Sequence, residues 1–236
     1  MIKHILFDLD GTLLPMNQDK FIKAYFSGIV KQIAPLGYDP NGLIEGIWKG
    51  TYNMIKNDGS KTNETVFLEN FSSIFGKKVY YDTYKFDEFY EKYFDEVKIS
   101  CGYNKEAELL IDKLKEMNFN LILATNPIFP RIATEKRIAW AGLNKNDFSY
   151  ISVYQNSHSC KPNLRYYEEI LNKLNLNPEE CLMIGNDVGE DMVVTSLNMK
   201  VFLLTDCLIN KNNEDINKYP HGSFNELNEF IDNLNK

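Results

Sequence analysis

The sequence predicts a doubly wound parallel α/β core interrupted by an inserted α-helical bundle, and three observations carry that fold class. Short apolar runs at residues 5–7, 121–124, 182–184 and 201–204 have the length and continuity of strands buried on both faces. From about residue 100 onward they alternate with amphipathic helical stretches, the pattern of a parallel sheet with helical crossovers. Between residues 16 and 99 the apolar period is helical, with no convincing strand pair, which makes that block a separate bundle. The expected division is thus a core of residues 1–15 and 100–236 and a helical domain of residues 16–99.

Composition limits the function. The 236 residues carry a formal net charge of −7 and an isoelectric point near 5.1, which argues against a surface built for the nucleic-acid backbone. Small molecules and metal cations are the expected partners. Cys101, Cys160, Cys181 and Cys207 lie far apart without a Cys-x-x-Cys pair, so reduced thiols in a cytoplasmic protein are expected, with no zinc knuckle or disulfide framework. No stretch is apolar for long enough to span a bilayer, and the first residues lack the pattern of a signal peptide, so no membrane association is expected.

The first strand, Ile5 to Phe7, ends in two carboxylates, Asp8 and Asp10, followed by Gly11. Open α/β sheets bind ligands at such strand ends. Two acids this close repel one another and lose hydration beside a core, so a cation between them is the natural expectation. Asp-Gly is also a common turn dipeptide, and a plain polar turn is the competing reading.

Helical spacing then dominates. Phe21, Ala24, Tyr25, Gly28 and Ile29 mark one helix, and Asp39-Pro40 starts another that carries Leu43, Ile44, Ile47 and Trp48. Trp48-Lys49-Gly50 reads as lying between helical segments, with a buried Trp at a helix end preferred over a substrate contact. Thr62 to Thr65 precedes Val66, Phe67 and Phe71, while Phe86, Phe89, Tyr90, Tyr93 and Phe94 share a face and read as core of the helical block.

A helix from Lys105 to Met117 leads to the strand Leu121 to Ala124, which ends in Thr125-Asn126-Pro127. A helix from about Pro130 to Ala141, a short strand near Tyr150 to Tyr154 and a helix opened by Lys161-Pro162 follow. Leu182 to Ile184 ends in Gly185-Asn186-Asp187, with Asp191 four residues on. Val201 to Leu204 is a further strand, and Ser223 to Glu226 forms a capping box before a closing helix through Leu234.

Three strands therefore end in chemically capable residues: Asp8 and Asp10, Thr125 and Asn126, and Asp187 with Asp191. A parallel sheet aims all its C-terminal strand ends at one rim, and Lys161 could supply a cation there. Taken singly, Thr125-Asn126-Pro127 could end a strand, Lys161-Pro162 start a helix and Asp191 favour a helix dipole. Their joint order resembles the four motifs of the haloacid dehalogenase superfamily, and with it a Rossmann-like core.

The resemblance implies a phosphatase-type member. Asp8 then matches the nucleophile that forms an aspartyl-phosphate, and Asp10 the acid that protonates the leaving oxygen and later activates water. Asp8, Asp10, Thr125, Asn126 and Lys161 would surround the phosphoryl group, with Thr125 donating to it and Lys161 neutralising charge. Magnesium would be held by Asp8, the Asp10 carbonyl and Asp187, with Asp191 supporting the site directly or through water. An Asp10 carboxyl kept off the metal, beside other anions, should have a raised pKa.

An acid at position 10 disfavours dehalogenation, because halide leaves without a proton. A phosphonatase would need a Schiff-base lysine, for which Lys20, Lys23, Lys31, Lys49 and Lys56 are unranked candidates. The same motifs would also fit a phosphomutase or a non-catalytic metabolite-binding member. The insertion after the first motif resembles an α-helical cap that excludes water and touches the leaving group. A small phosphorylated metabolite is the expected substrate, and a monomer or homodimer the expected assembly.

Overall fold

Ile5, Leu6 and Phe7 are fully buried, because strand β1 (His4–Phe7) sits at the centre of the sheet with helices on both faces. The computed structural model describes residues 1–234; residues 235 and 236, the last two of the expected core domain, lie outside the described residues. Strands β2 (Asn120–Leu123), β3 (Tyr150–Ile151), β4 (Cys181–Gly185), β5 (Lys200–Leu204) and β6 (His221–Gly222) complete a parallel sheet in the order β3-β2-β1-β4-β5-β6. The chain is thus of the α/β class, doubly wound and Rossmann-like. Strand order reverses between β1 and β4, which opens a crevice at their C-terminal ends.

Alternation along the strands divides the core into two layers. Ile5, Phe7, Leu121, Leu123, Leu182 and Ile184 face the first, and Leu6, Ile122, Met183 and Leu203 the second. The first layer takes the apolar stripes of α5 (Lys105–Glu116), α6 (Arg131–Trp140) and α8 (Phe224–Asn233); the second takes α7 (Leu164–Leu174). Each buried Leu, Ile or Phe contributes about 1.5–3 kcal/mol to such packing. Capping begins several helices as the sequence suggests: Asp39 accepts from Gly42 N, Thr62 from Thr65 N, and Ser223 with Glu226 completes a capping box.

Between β1 and α5 lie α1 (Gln18–Ile33), α2 (Pro40–Ile55), α3 (Asn63–Phe75) and α4 (Lys78–Glu88), followed by a π-helical turn (Phe89–Tyr93) and a 3-10 segment (Phe94–Ser100). The two chain crossings into this block pair with one another. Met16 bridges Cys101, Asn17 N donates to Ser100 O at 3.2 Å, and Gly102 N to Pro15 O at 2.7 Å. A third junction lies at the start of α3, where buried Asn63 donates from Nδ2 to Pro127 O, Ser159 O and Cys160 Sγ at 3.2–3.3 Å.

The structure departs from expectation at four places. Trp48 lies within α2, not between helices, and is 48% exposed with its ring 5.4 Å from that of Phe26. Gly50, read with Trp48 as lying between helical segments, is instead a close-approach position inside α2: a Cβ there would stand 2.6 Å from the Phe67 ring of α3. Lys161 does not open a helix; α7 starts at Leu164 and is capped by Asn163. The two-residue β6 carries too short a run to announce itself by period. No helix among the described residues is long and apolar enough to cross a membrane.

Candidate active site

The end of each central strand delivers its polar residues to one cavity. Asp8 and Asp10 follow β1, Thr125 and Asn126 follow β2, and Asp187, Glu190 and Asp191 follow β4; all of them line a single cavity of about 770 Å³ between the sheet rim and the helical block. Residues far apart in sequence therefore meet at the crevice between β1 and β4. Lys161 is the remaining predicted residue. It lies just behind the cavity wall, 1% exposed, with Nζ 2.8 Å from Asp8 Oδ1 and 2.6 Å from Asp191 Oδ1.

Burial works against the Lys161 charge, but Asp191 and Asp8 outweigh it and hold the ammonium well above its usual range. Burial likewise pushes the Asp191 carboxyl up, to about 7, against the pull of Lys161. Both oxygens of Asp191 are engaged within the protein: Oδ1 accepts from Lys161, and Oδ2 from Asp187 N at 3.0 Å. Gly185 makes this possible, since a Cβ at that position would overlap the Asp191 carboxylate.

Asp187 Oδ1 accepts from Gly189 N at 2.8 Å and Glu190 N at 3.0 Å. Its Oδ2, like Asp8 Oδ2, has no hydrogen-bond partner among the described residues. Both carboxylates face the same cavity. Among the described residues there is no group of three or more His, Cys, Asp or Glu side chains able to hold a metal ion. The donor set that remains is two carboxylate oxygens and backbone carbonyls, which suits a hard cation that keeps several of its waters, as magnesium does.

Asp10 is organised by a residue that sequence reasoning missed. Arg137 of α6, 1% exposed, pairs through Nη1 with Asp10 Oδ2, while Nε donates to Ala133 O at 3.3 Å and Nη2 to Thr134 Oγ1 at 3.2 Å. Its guanidinium carbon stands 4.6 Å from the centre of the Phe129 ring. Burial raises the Asp10 carboxyl above the ordinary range; Arg137 pulls it back and Asp8 pushes it up again. Asp10 Oδ1 is buried with no partner among the described residues, and so is Asn126 Oδ1. Such atoms are costly unless something else satisfies them, and both belong to cavity-lining residues.

Thr125 is 2% exposed. Its carbonyl accepts from Ser152 Oγ at 2.6 Å and from Tyr166 Oη at 2.8 Å, which fixes the end of β2 and leaves the hydroxyl without a protein partner among the described residues. Asn126 Nδ2 donates to Glu190 Oε2 at 3.0 Å. Asn186, also missed, ties the loops after β1 and β4 together: its Oδ1 accepts from Thr12 Oγ1 at 3.1 Å, and its Nδ2 donates to Cys207 O at 2.6 Å. Its place between Gly185 and Asp187 was the one available signal. A nucleophilic carboxylate, a neighbouring acid with a raised pKa, a hydroxyl donor and a buried ammonium on one rim can attack and stabilise an electrophile carrying several anionic oxygens.

A family model of haloacid dehalogenase-like hydrolases matches residues 2–192. The chain belongs to this family of hydrolases. Among solved structures it is similar to a haloacid dehalogenase-type phosphatase from Thermococcus onnurineus, at 16% identity over 98% of each chain with a TM-score of 0.60. A 2-haloacid dehalogenase from Pseudomonas syringae pv. Tomato DC3000 matches at 17% identity, TM-score 0.64, over 99% of this chain and 100% of the other. The hydrolase YfnB from Bacillus subtilis, solved bound to magnesium, matches at 19% identity, TM-score 0.57, over 100% of this chain and 99% of that one. At these identities the likeness concerns the fold. No curated protein matches the chain.

Proposed function

We propose that the protein is a magnesium-dependent phosphomonoesterase acting on a small phosphorylated metabolite, with residues 16–99 as a cap over the site. The observation that supports this most is the meeting of Asp8, Asp10, Thr125 and Asp187 at one cavity with Lys161 bonded to Asp8 behind it. Phosphoryl transfer needs little from a protein beyond alignment and charge neutralisation, and this set supplies both.

In this reading a carboxylate oxygen of Asp8 attacks phosphorus, and the ester oxygen leaves with the proton of Asp10. Water then cleaves the aspartyl-phosphate at phosphorus, with Asp10 accepting its proton, so that inorganic phosphate and an alcohol are the products. Thr125 donates its hydroxyl to a phosphoryl oxygen, Asn126 sits beside it, and Lys161 holds Asp8 in place and offsets negative charge. Asp8, Asp187 and the Asp10 carbonyl would hold magnesium, which adds positive charge against the phosphoryl oxygens. Asp191 acts from one step back, by fixing Lys161 and the Asp187 backbone.

The acid at position 10 favours phosphatase over dehalogenase chemistry, because an alkoxide needs a proton on departure and a halide does not. Purified protein with magnesium should release phosphate from 4-nitrophenyl phosphate. Asp8→Asn should lower that rate by at least about a thousandfold. Turnover by the variant at the wild-type rate would end the proposal.

A further inference from the structure

The cavity does not stop at the sheet rim. It continues into the helical block, where its wall is built from side chains such as Phe26, Ile47, Trp48, Phe67, Phe71 and Phe86. Trp48 and Phe26 pack against one another in that wall, and Phe67 stacks on Phe71 with ring centres 5.5 Å apart. Helices α1 to α4 all contribute to it, so it is a formed apolar chamber rather than a dent beneath one loop.

The charges in this chamber are as telling as its rings. Among the described lining residues the only lysine or arginine is Lys211, which belongs to the loop after β5 on the core side. The helical block contributes no cationic side chain to the described lining. It contributes two acids instead, Glu64 at the start of α3 and Asp87 near the end of α4. Burial raises the Glu64 carboxyl and Asp87 adds to the effect; burial also raises Asp87. Neither is ion-paired among the described residues. Lys161 and Arg137, the buried cations behind the rim, are already engaged by Asp8, Asp191 and Asp10.

We propose that the substrate is a phosphate monoester of a bulky apolar alcohol, aromatic or branched aliphatic, whose leaving group carries no acidic function. This deepens the phosphatase reading and rests on it for the position of the phosphoryl group. An apolar ring leaving water for this chamber gains the full hydrophobic driving force and ring contacts with Trp48 and Phe67. A leaving group bearing a carboxylate or second phosphate would lose its hydration there, meet no cation from the helical block and face Glu64 and Asp87. Sugar hydroxyls would find partners in Gln18, Thr51, Thr83 and the two acids, but a sugar would bury polar surface against the rings that dominate the wall. Short acidic esters and nucleotides are therefore disfavoured by the wall itself.

The test compares 1-naphthyl phosphate with a carboxylated naphthyl phosphate, phosphoglycolate and glucose 6-phosphate, using the full chain with magnesium. The expected kcat/KM for 1-naphthyl phosphate exceeds each of the others by at least about tenfold. Equal or better turnover of phosphoglycolate or glucose 6-phosphate overturns the proposal and leaves the phosphatase reading intact. If no ester is hydrolysed, the phosphatase reading fails, and calorimetry with two phosphonates that cannot be hydrolysed still decides the chamber's preference. Naphthylmethylphosphonate should then bind at least about tenfold tighter than phosphonoacetate, and the reverse order overturns the inference. Thr51→Lys, which adds a cation to the half-buried wall of α2, should narrow either ratio; an unchanged ratio in a folded variant counts against it.

Discussion

At the scale of single residues, Asp10 and Arg137 form the pair on which the proposed chemistry turns. A carboxyl with a raised pKa keeps its proton to higher pH, so in the proposed mechanism its service as an acid is complete below that pKa and is lost as pH rises through it. Turnover of an alkyl phosphate, whose leaving group needs the proton, should therefore fall on the alkaline side, while 4-nitrophenyl phosphate should be less affected. In Asp10→Asn that limb should vanish and alkyl phosphate turnover drop by about 10²–10⁴. Parallel pH profiles of kcat for both esters in wild type and variant check this.

Arg137 makes a second prediction at the same scale. Its guanidinium is buried against the half-buried Asp10, so Arg137→Met should cost about 2–4 kcal/mol of stability in urea unfolding, by leaving that acid without its partner. Adding Asp10→Asn to that variant should cost less than the same change in wild type, the coupling a double-mutant cycle measures. This pair was invisible in the sequence. Arg137 sits in a helix with Arg131, Glu135 and Lys136, where a basic residue normally points at water, and only the three-dimensional path of α6 brings it to a residue 127 positions earlier. Asp8, Asp10 and Asp187 were legible because carboxylates following apolar strands break the composition that folding alone would choose.

At the scale of elements, strand ends and helix starts set the rim. Gly185 ends β4, and its missing side chain is the space in which Asp191 lies. Gly185→Ala should displace Asp191 and with it Lys161, lowering kcat by about a hundredfold and stability by about 1–3 kcal/mol. Steady-state kinetics together with denaturant unfolding test both halves. Strands β1, β2, β4 and β5 and helix α5 were readable from period alone. Misreadings came where one residue type serves two ends. Gly50 reads as lying between helical segments and instead lets α3 approach from inside α2, and Pro162 resembled a helix opener although Asn163 provides the cap. Placing Trp48 at a helix end hid its position on the chamber wall.

At the scale of the whole molecule, the α/β class with a helical insertion was legible because the period of the apolar residues changes near residue 16 and again near residue 100. What the chamber accepts was not, since it depends on which faces of α1 to α4 turn toward the sheet. The proposed metal dependence belongs to this scale as well. Chelation should stop turnover and added magnesium restore it, and magnesium at a hundred times its Kd should stabilise the fold by about 2.7 kcal/mol. That increment should disappear in Asp8→Asn/Asp187→Asn, as thermal unfolding with and without the ion would reveal.

The bolt at Asn63 constrains how the two halves can part. Beyond the paired crossings near Met16 and Cys101, α3 is fastened to the segment that leads into Lys161: Glu64 N donates to Tyr154 O at 2.9 Å and Asn63 N to Ser157 O at 2.8 Å, while the Asn63 amide grips Ser159, Cys160 and Pro127. The helical block is thereby geared to the ammonium and to the tip of β2. A motion of the helical block away from the sheet would pull on the segment that carries the lysine, so in the proposed enzyme admission of a molecule and alignment of that lysine would be one mechanical event.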